Sequence, residues 1–149
     1  MALLDTVDPK GLDEFSVVFT DRSLNHMSKT FQQVMLDISD MLKEVYSAEA
    51  VALVPGGGTF AMEAVARQFA RGANALVVRN GWFSYRWTQI FEAGNIPSRE
   101  TVLKARLVEK GNQAAFTPAP IEEVARAIAS EKPDIVFAPH VETASGIIL

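Results

Sequence analysis

The chain has 149 residues, 48% of them hydrophobic and 21% charged, with a formal net charge of −4 and no cysteine. That length suits one domain, and that apolar share is enough for a packed core, which excludes global disorder. The acidic balance leaves a nucleic-acid or anionic-membrane role without its electrostatic footprint, and the missing cysteines exclude disulfides, thiolate catalysis and cysteine-ligated zinc or iron–sulfur sites.

Residues 1–27 have no clear periodicity and read as an N-terminal arm with one short apolar run at 15–19. The opening MALLDTVDPKGLDEF has no basic patch ahead of an apolar run, so no signal peptide is read. No window approaches the roughly 18 apolar residues of a membrane span, and a soluble, cytoplasmic protein is expected. From Ser28, a plausible N-cap, Phe31, Val34, Met35, Ile38, Met41, Leu42 and Val45 fall at steps of three and four, which predicts one helical face. Residues 50–54 are continuously apolar, the pattern of a strand buried on both sides. The turn Pro55-Gly56-Gly57-Gly58 leads into a helix over 59–69 with Met62, Val65, Ala66 and Phe69 on its inner stripe, closed by Arg71-Gly72.

The cycle then repeats. A strand is predicted at 75–78, an Asn80-Gly81 turn, a helix over 82–93 ending at Gly94, and an alternating outer strand over 101–108. Pro120 suits the first position of a helix running to Ser130, with Ile121, Val124, Ala125 and Ile128 inward. Pro133 separates it from a last strand at 134–138 and a polar loop over 140–146. Strands alternating with helices imply a parallel sheet with right-handed crossovers. The last residues, Gly146-Ile147-Ile148-Leu149, are apolar with no terminating signal, so the chain reads as cut, and an exposed apolar edge that associates is expected.

Ligands of open parallel sheets bind beyond the carboxyl ends of the strands. Three such ends carry unusual residues. Glycines at 56–58 let backbone N–H groups and a helix N-terminus approach an anion, with the Thr59 hydroxyl as a further donor; the plain alternative is a βα turn with Thr59 as N-cap. No Gly-Lys-Ser/Thr follows, so this is not a Walker loop. Gly56, Gly58 and Ala61 fit G-x-G-x-x-A, but no acidic residue stands at the end of the next strand to hold a ribose; Arg79 there leaves an NADP-binding oxidoreductase open. The second end, Asn80-Gly81-Trp82-Phe83-Ser84-Tyr85-Arg86-Trp87, has four aromatics within six residues, suited either to stacking on a planar ring or to packing a helix start on the core. The third, Pro139-His140-Val141-Glu142-Thr143-Ala144-Ser145-Gly146, has the H-x-E of zinc deaminases without their cysteines, and a Ser145–His140–carboxylate triad on one short loop has unfavourable geometry. His26 is either a polar contact or a solvated surface histidine. No metal site is supported.

Together with Ser23-Leu24-Asn25-His26-Met27-Ser28-Lys29-Thr30-Phe31, these stretches resemble the class V aminotransferases of the fold-type-I pyridoxal phosphate (PLP) enzymes, in the alanine–glyoxylate and serine–pyruvate branch. The resemblance runs from about Ser23 to the last residue. It implies a three-layer α/β/α fold with a mainly parallel sheet, of which residues 28–149 are the N-terminal part of the large domain, lacking the remainder and the small domain. It places Gly57, Gly58 and Thr59 in the cofactor phosphate cradle, Phe83 on the pyridine ring and Thr143 near the ring oxygen. Ser84 stands where the family commonly has glycine.

PLP enzymes need a lysine for the Schiff base and an acid at the pyridine nitrogen. In the family both follow the His-x-Glu-Thr loop, and Lys10, Lys29, Lys43, Lys104, Lys110 and Lys132 match neither position, so the catalytic residues lie outside this chain. The resemblance therefore implies about the first two-fifths of an enzyme, inactive alone. The complete protein is expected to move an amino group between a small amino acid and a 2-oxo acid as a homodimer. The alternatives are the NADP reading above and a ligand-free structural fragment, in which Gly58→Val destabilises the fold and changes no binding.

Overall fold

The computed structural model describes His26 and residues 29–149; the arm apart from His26, the 15–19 run and the Ser28 cap lie outside the described residues. Two compact units divide the chain after Leu53. The first contains α1 (Lys29–Tyr46), whose apolar residues recur as the spacing predicts, with Gln33–Asp37 and Lys43–Asp40 pairs along its polar side. None of its residues is buried. Residues 50–54 carry no regular structure and belong to no ladder among the described residues, so the strand predicted there is not seen. A continuous apolar run marks a segment fit for a sheet interior; only a hydrogen-bonded neighbour makes it a strand.

The second unit orders α2 (Gly58–Phe69), β1 (Asn74–Arg79), α3 (Trp82–Gly94), β2 (Arg99–Lys104), β3 (Arg106–Leu107), β4 (Phe116–Thr117), α4 (Ile121–Glu131), β5 (Ile135–Phe137), β6 (Val141–Glu142) and β7 (Ile147–Ile148). The fold is α/β with a mainly parallel sheet, as the alternation predicts. β1 is central and parallel to both neighbours, in the order β2-β1-β5. Its Ala75, Leu76, Val77 and Val78 are buried on both faces, which is why this stretch reads as uninterrupted apolar sequence. β2 pairs along its whole length, Asn74↔Arg99 through Arg79↔Lys104, and the predicted outer strand breaks after Lys104: β3 turns away to pair antiparallel with β4. The predicted polar loop is also partly strand, since β6 and β7 form an antiparallel pair.

α2 and α3 pack on each other, and α3 packs on β1. Their core joins Ala66, Ala70, Ala75, Val77, Ile90, Phe91, Ile96 and Phe137, with Met62, Trp87, Val102 and Ile135 at its rim. The inner stripe of α2 is therefore Met62-Ala66-Ala70, rotated from the predicted one, and Val65 and Phe69 are exposed. Alanines at i and i+4 let two helices approach closely, a demand of packing that hydrophobicity alone does not encode. Trp87, Phe91 and Phe137 form an aromatic cluster, with Trp87 and Phe137 centroids 4.5 Å apart. Asn95 ends α3 in the left-handed conformation, and Lys132 does the same for α4.

α4 buries none of its residues: Ile121, Ala125 and Ile128, expected inward, are exposed, and Pro120 is its N-cap rather than its first helical residue. Phe60, Phe69, Trp82 and Ile148 are also exposed, so this unit leaves many large apolar side chains uncovered. The isolated chain is expected to self-associate. Sedimentation velocity at rising concentration checks this, and a single concentration-independent species of 16.3 kDa is the contrary result.

Candidate functional site

The chain leaves β1 through α3 to β2 on one side, then returns through α4 to β5 on the other. Beyond the carboxyl ends of β1 and β5 the connections diverge, which opens the crevice where parallel sheets bind ligands. Two predicted loops meet there: the start of α3 after β1, and the β6–β7 pair after β5.

Glu142 joins them. Its side chain is fully buried, and its carboxylate accepts from the Ser84 hydroxyl (2.7 Å), the Ser84 amide (2.8 Å) and the Phe83 amide (3.2 Å), with the Ala144 amide at 3.4 Å. Burial pushes this carboxyl up, and those hydrogen bonds, led by the Ser84 hydroxyl, outweigh burial and hold it below its ordinary value. A carboxylate at the first turn of α3 also meets the positive end of the helix dipole. Ser84 Oγ in turn accepts from the Asn80 and Gly81 amides, so the residue standing where the resemblance expected glycine closes the helix start. Gly81 has an extended backbone (φ 176°) that any residue adopts; its glycine is needed because an added Cβ would sit 2.7 Å from Glu142 Cγ. Ser145 Oγ donates to the Asn80 carbonyl at 2.8 Å, a second tie between the loops, and this removes it from any triad with His140, which is exposed.

The glycine turn is tied to the same helix. Arg86 of α3 donates from Nη1 to Thr59 Oγ1 at 2.6 Å. Gly56 has φ +124°, open in practice only to glycine. Gly57 is the N-cap of α2 with no side-chain cap, and Thr59 is inside the helix, so the capping role considered for it does not hold. Among the described residues a Cβ added at Gly57 or Gly58 would meet nothing within 4 Å, so no packing among them demands glycine there. The two helix starts thus differ: α3 already holds the protein's own carboxylate, while α2 presents its N-terminus open.

Phe83 lies one residue into α3 and is half exposed, as is Trp82, whereas Trp87 joins the core; the aromatic run serves both purposes weighed for it, divided by position. Thr143 follows Glu142 and is exposed. Gly57, Gly58 and Thr59 are linked to the α3 start through Arg86, and Thr143 is linked to it through Glu142. Arg79 goes elsewhere: its guanidinium lies 4.8 Å from the Tyr85 ring centroid and lines a different cavity from the one that Thr59 lines. Among the described residues no ladder includes residues 50–54, so the strand–turn–helix context of a dinucleotide fingerprint is not seen there, and Arg79 is not beside the glycine turn. Glu142, Ser84 and Arg86 were not singled out as site residues. An acidic residue inside an otherwise short polar loop was the one available signal, and its partner, 58 residues away, was not legible.

No family model matches the chain. A protein of Helicobacter pylori described as an uncharacterized aminotransferase is 25% identical over 167 aligned positions, covering 97% of this chain and 45% of that protein. The crystal structure of ureidoglycine-glyoxylate aminotransferase from Bacillus subtilis superposes with a TM-score of 0.63 at 24% identity, over 80% of this chain and 29% of that one. The chain thus spans less than half the length of either. The likeness to the solved structure is one of fold, and by sequence and by fold the chain is similar to aminotransferases.

Proposed function

We propose that this chain belongs to a PLP-dependent aminotransferase that moves an amino group between a small amino acid of the alanine or serine type and a 2-oxo acid such as glyoxylate or pyruvate. The observation that carries the reading is the open α2 N-terminus beside a helix start that a buried carboxylate already fills. An anionic phosphate is accepted by the first and refused by the second. The residues fit the cofactor: Gly57 and Gly58 front open space, and Phe83 has half its surface free to cover a flat ring.

In this reading the Gly57, Gly58 and Thr59 amides bind the phosphate. Arg86 donates to Thr59 Oγ1, which leaves that hydroxyl's own proton for the anion. Phe83 covers one face of the heterocycle, and Thr143 donates toward the ring oxygen. Glu142 touches neither; it fixes the helix turn that carries Phe83 and the strand end that precedes Thr143. Bound PLP supplies the electron sink for amino transfer. The lysine and pyridine-nitrogen acid are assigned to sequence outside this chain, and a homodimer in the cytoplasm is part of the proposal.

Gly58→Val tests the cradle. With no atom near an added Cβ, stability is expected to stay within about 0.5 kcal/mol, while PLP affinity falls at least about tenfold as the side chain fills the phosphate approach. Equilibrium dialysis and a denaturant melt on the same samples measure both. Unchanged affinity in Gly58→Val removes the cradle.

A further inference from the structure

Beyond the carboxyl ends of β1 and β2 lies a cavity of about 510 Å³, bordered by Arg79, Lys104, Trp82, Tyr85, Phe116 and the unpaired amide residue Asn80. Arg79 and Lys104 are register partners on parallel strands, so their side chains leave the same face of the sheet from backbones about 4.8 Å apart. Like charges in that relation repel. Among the described residues no carboxylate pairs with either directly: the four ion pairs use Lys43, Arg67, Arg99 and Arg106, and Glu100 reaches Arg79 only through Thr88, which accepts from Arg79 Nη1 at 3.5 Å and donates to Glu100 at 2.7 Å.

Three aromatic rings stand with this pair of cations. Trp82 and Phe116 are about half exposed, and Tyr85 is tilted against Trp82 with centroids 5.9 Å apart. The open Trp82 and Phe116 rings beside two cations that have no direct carboxylate partner, one of them lying 4.8 Å from the Tyr85 ring centroid, suit a ligand that is itself flat and anionic. Asn80 adds a separate sign: it is 2% exposed, lines the same cavity, and its Oδ1 and Nδ2 have no hydrogen-bond partner among the described residues. Buried polar groups in that state ordinarily find a partner.

We infer that this cavity is a binding site for a small molecule that joins an anionic group to a flat ring, an aryl phosphate or aryl carboxylate by class. Arg79 and Lys104 hold the anion, and Trp82, Tyr85 and Phe116 flank the ring. The site uses none of Gly57, Gly58, Thr59, Phe83 and Thr143 and stands whether or not those bind PLP.

Isothermal titration of the 149-residue chain with phenyl phosphate, benzoate and inorganic phosphate tests it. One aryl anion is expected to bind at one site per chain, at least about tenfold more tightly than inorganic phosphate; whichever aryl probe is tighter names the anionic group. Lys104→Gln, at an exposed position, and Arg79→Gln are each expected to weaken it about tenfold, while Arg126→Gln and Gly58→Val leave it unchanged. If Arg79→Gln does not fold, Lys104→Gln alone decides. Equal affinity in Lys104→Gln and the parent chain overturns the site. So does a loss in Gly58→Val, which puts the probe at the glycine turn, or inorganic phosphate binding as tightly as the aryl probes.

Discussion

Glu142→Ala is expected to cost about 3 kcal/mol or more, because the substitution leaves buried donors of the α3 start without an acceptor at about 1–3 kcal/mol each. The loss is local in origin and wide in effect: the carboxylate is the principal tie between the first turn of α3 and the β6–β7 pair. Glu142→Gln, of the same shape, separates charge from packing. Because the folded carboxyl lies below the unfolded value of 4.5, the charged form is the one that folding favours. Its contribution is fully present above that value and is lost as pH falls through the lowered folded value. Denaturant titrations between pH 7 and pH 3 are expected to show the parent chain losing more stability on acidification than Glu142→Gln. Parallel acid limbs for the two proteins would show that the carboxylate's charge contributes nothing.

Phe137→Ala is expected to cost about 3–5 kcal/mol, the range for emptying a buried aromatic site. Phe137 comes from the short edge strand β5, is 5% exposed, and meets Trp87 at 4.5 Å and Phe91 at 5.2 Å between ring centroids. It is the side chain through which β5 and α3 share one core, so its loss also weakens the parallel β1–β5 ladder of three register pairs. The near-ultraviolet circular dichroism of Trp87 reports the cluster directly. Phe60→Ala, at a position 61% exposed, is the matched control and is expected to stay within about 0.5 kcal/mol. A loss below about 1 kcal/mol for Phe137→Ala would mean that the cluster closes over the gap.

Strong local patterns are legible in the chain. The helices, the central strand and their alternation appear in local periodicities, although the helix caps do not, and that alternation implies a parallel sheet. What failed depended on partners distant in sequence. Residues 50–54 have the composition of a strand but no ladder among the described residues; Val141-Glu142, inside a stretch that reads as a polar loop, pairs with the apolar Ile147-Ile148. Val65 and Phe69 are more hydrophobic than Ala66 and Ala70, yet the alanines face the core because α2 packs closely on α3.

The same division runs through the site. Sequence by itself determined which loops are candidates for chemistry, since glycine runs, clustered aromatics and hydroxyls are features of composition and order. Tertiary structure alone decided which helix N-terminus is open to an anion. It did so by bringing Glu142 across 58 residues to Ser84, and Arg86 across 27 to Thr59. It also set Arg79 beside Lys104 rather than beside the glycine turn. Hydrogen bonds and like-charge contacts are fixed by distances of a few ångströms, and those distances are properties of the packed chain rather than of any segment within it.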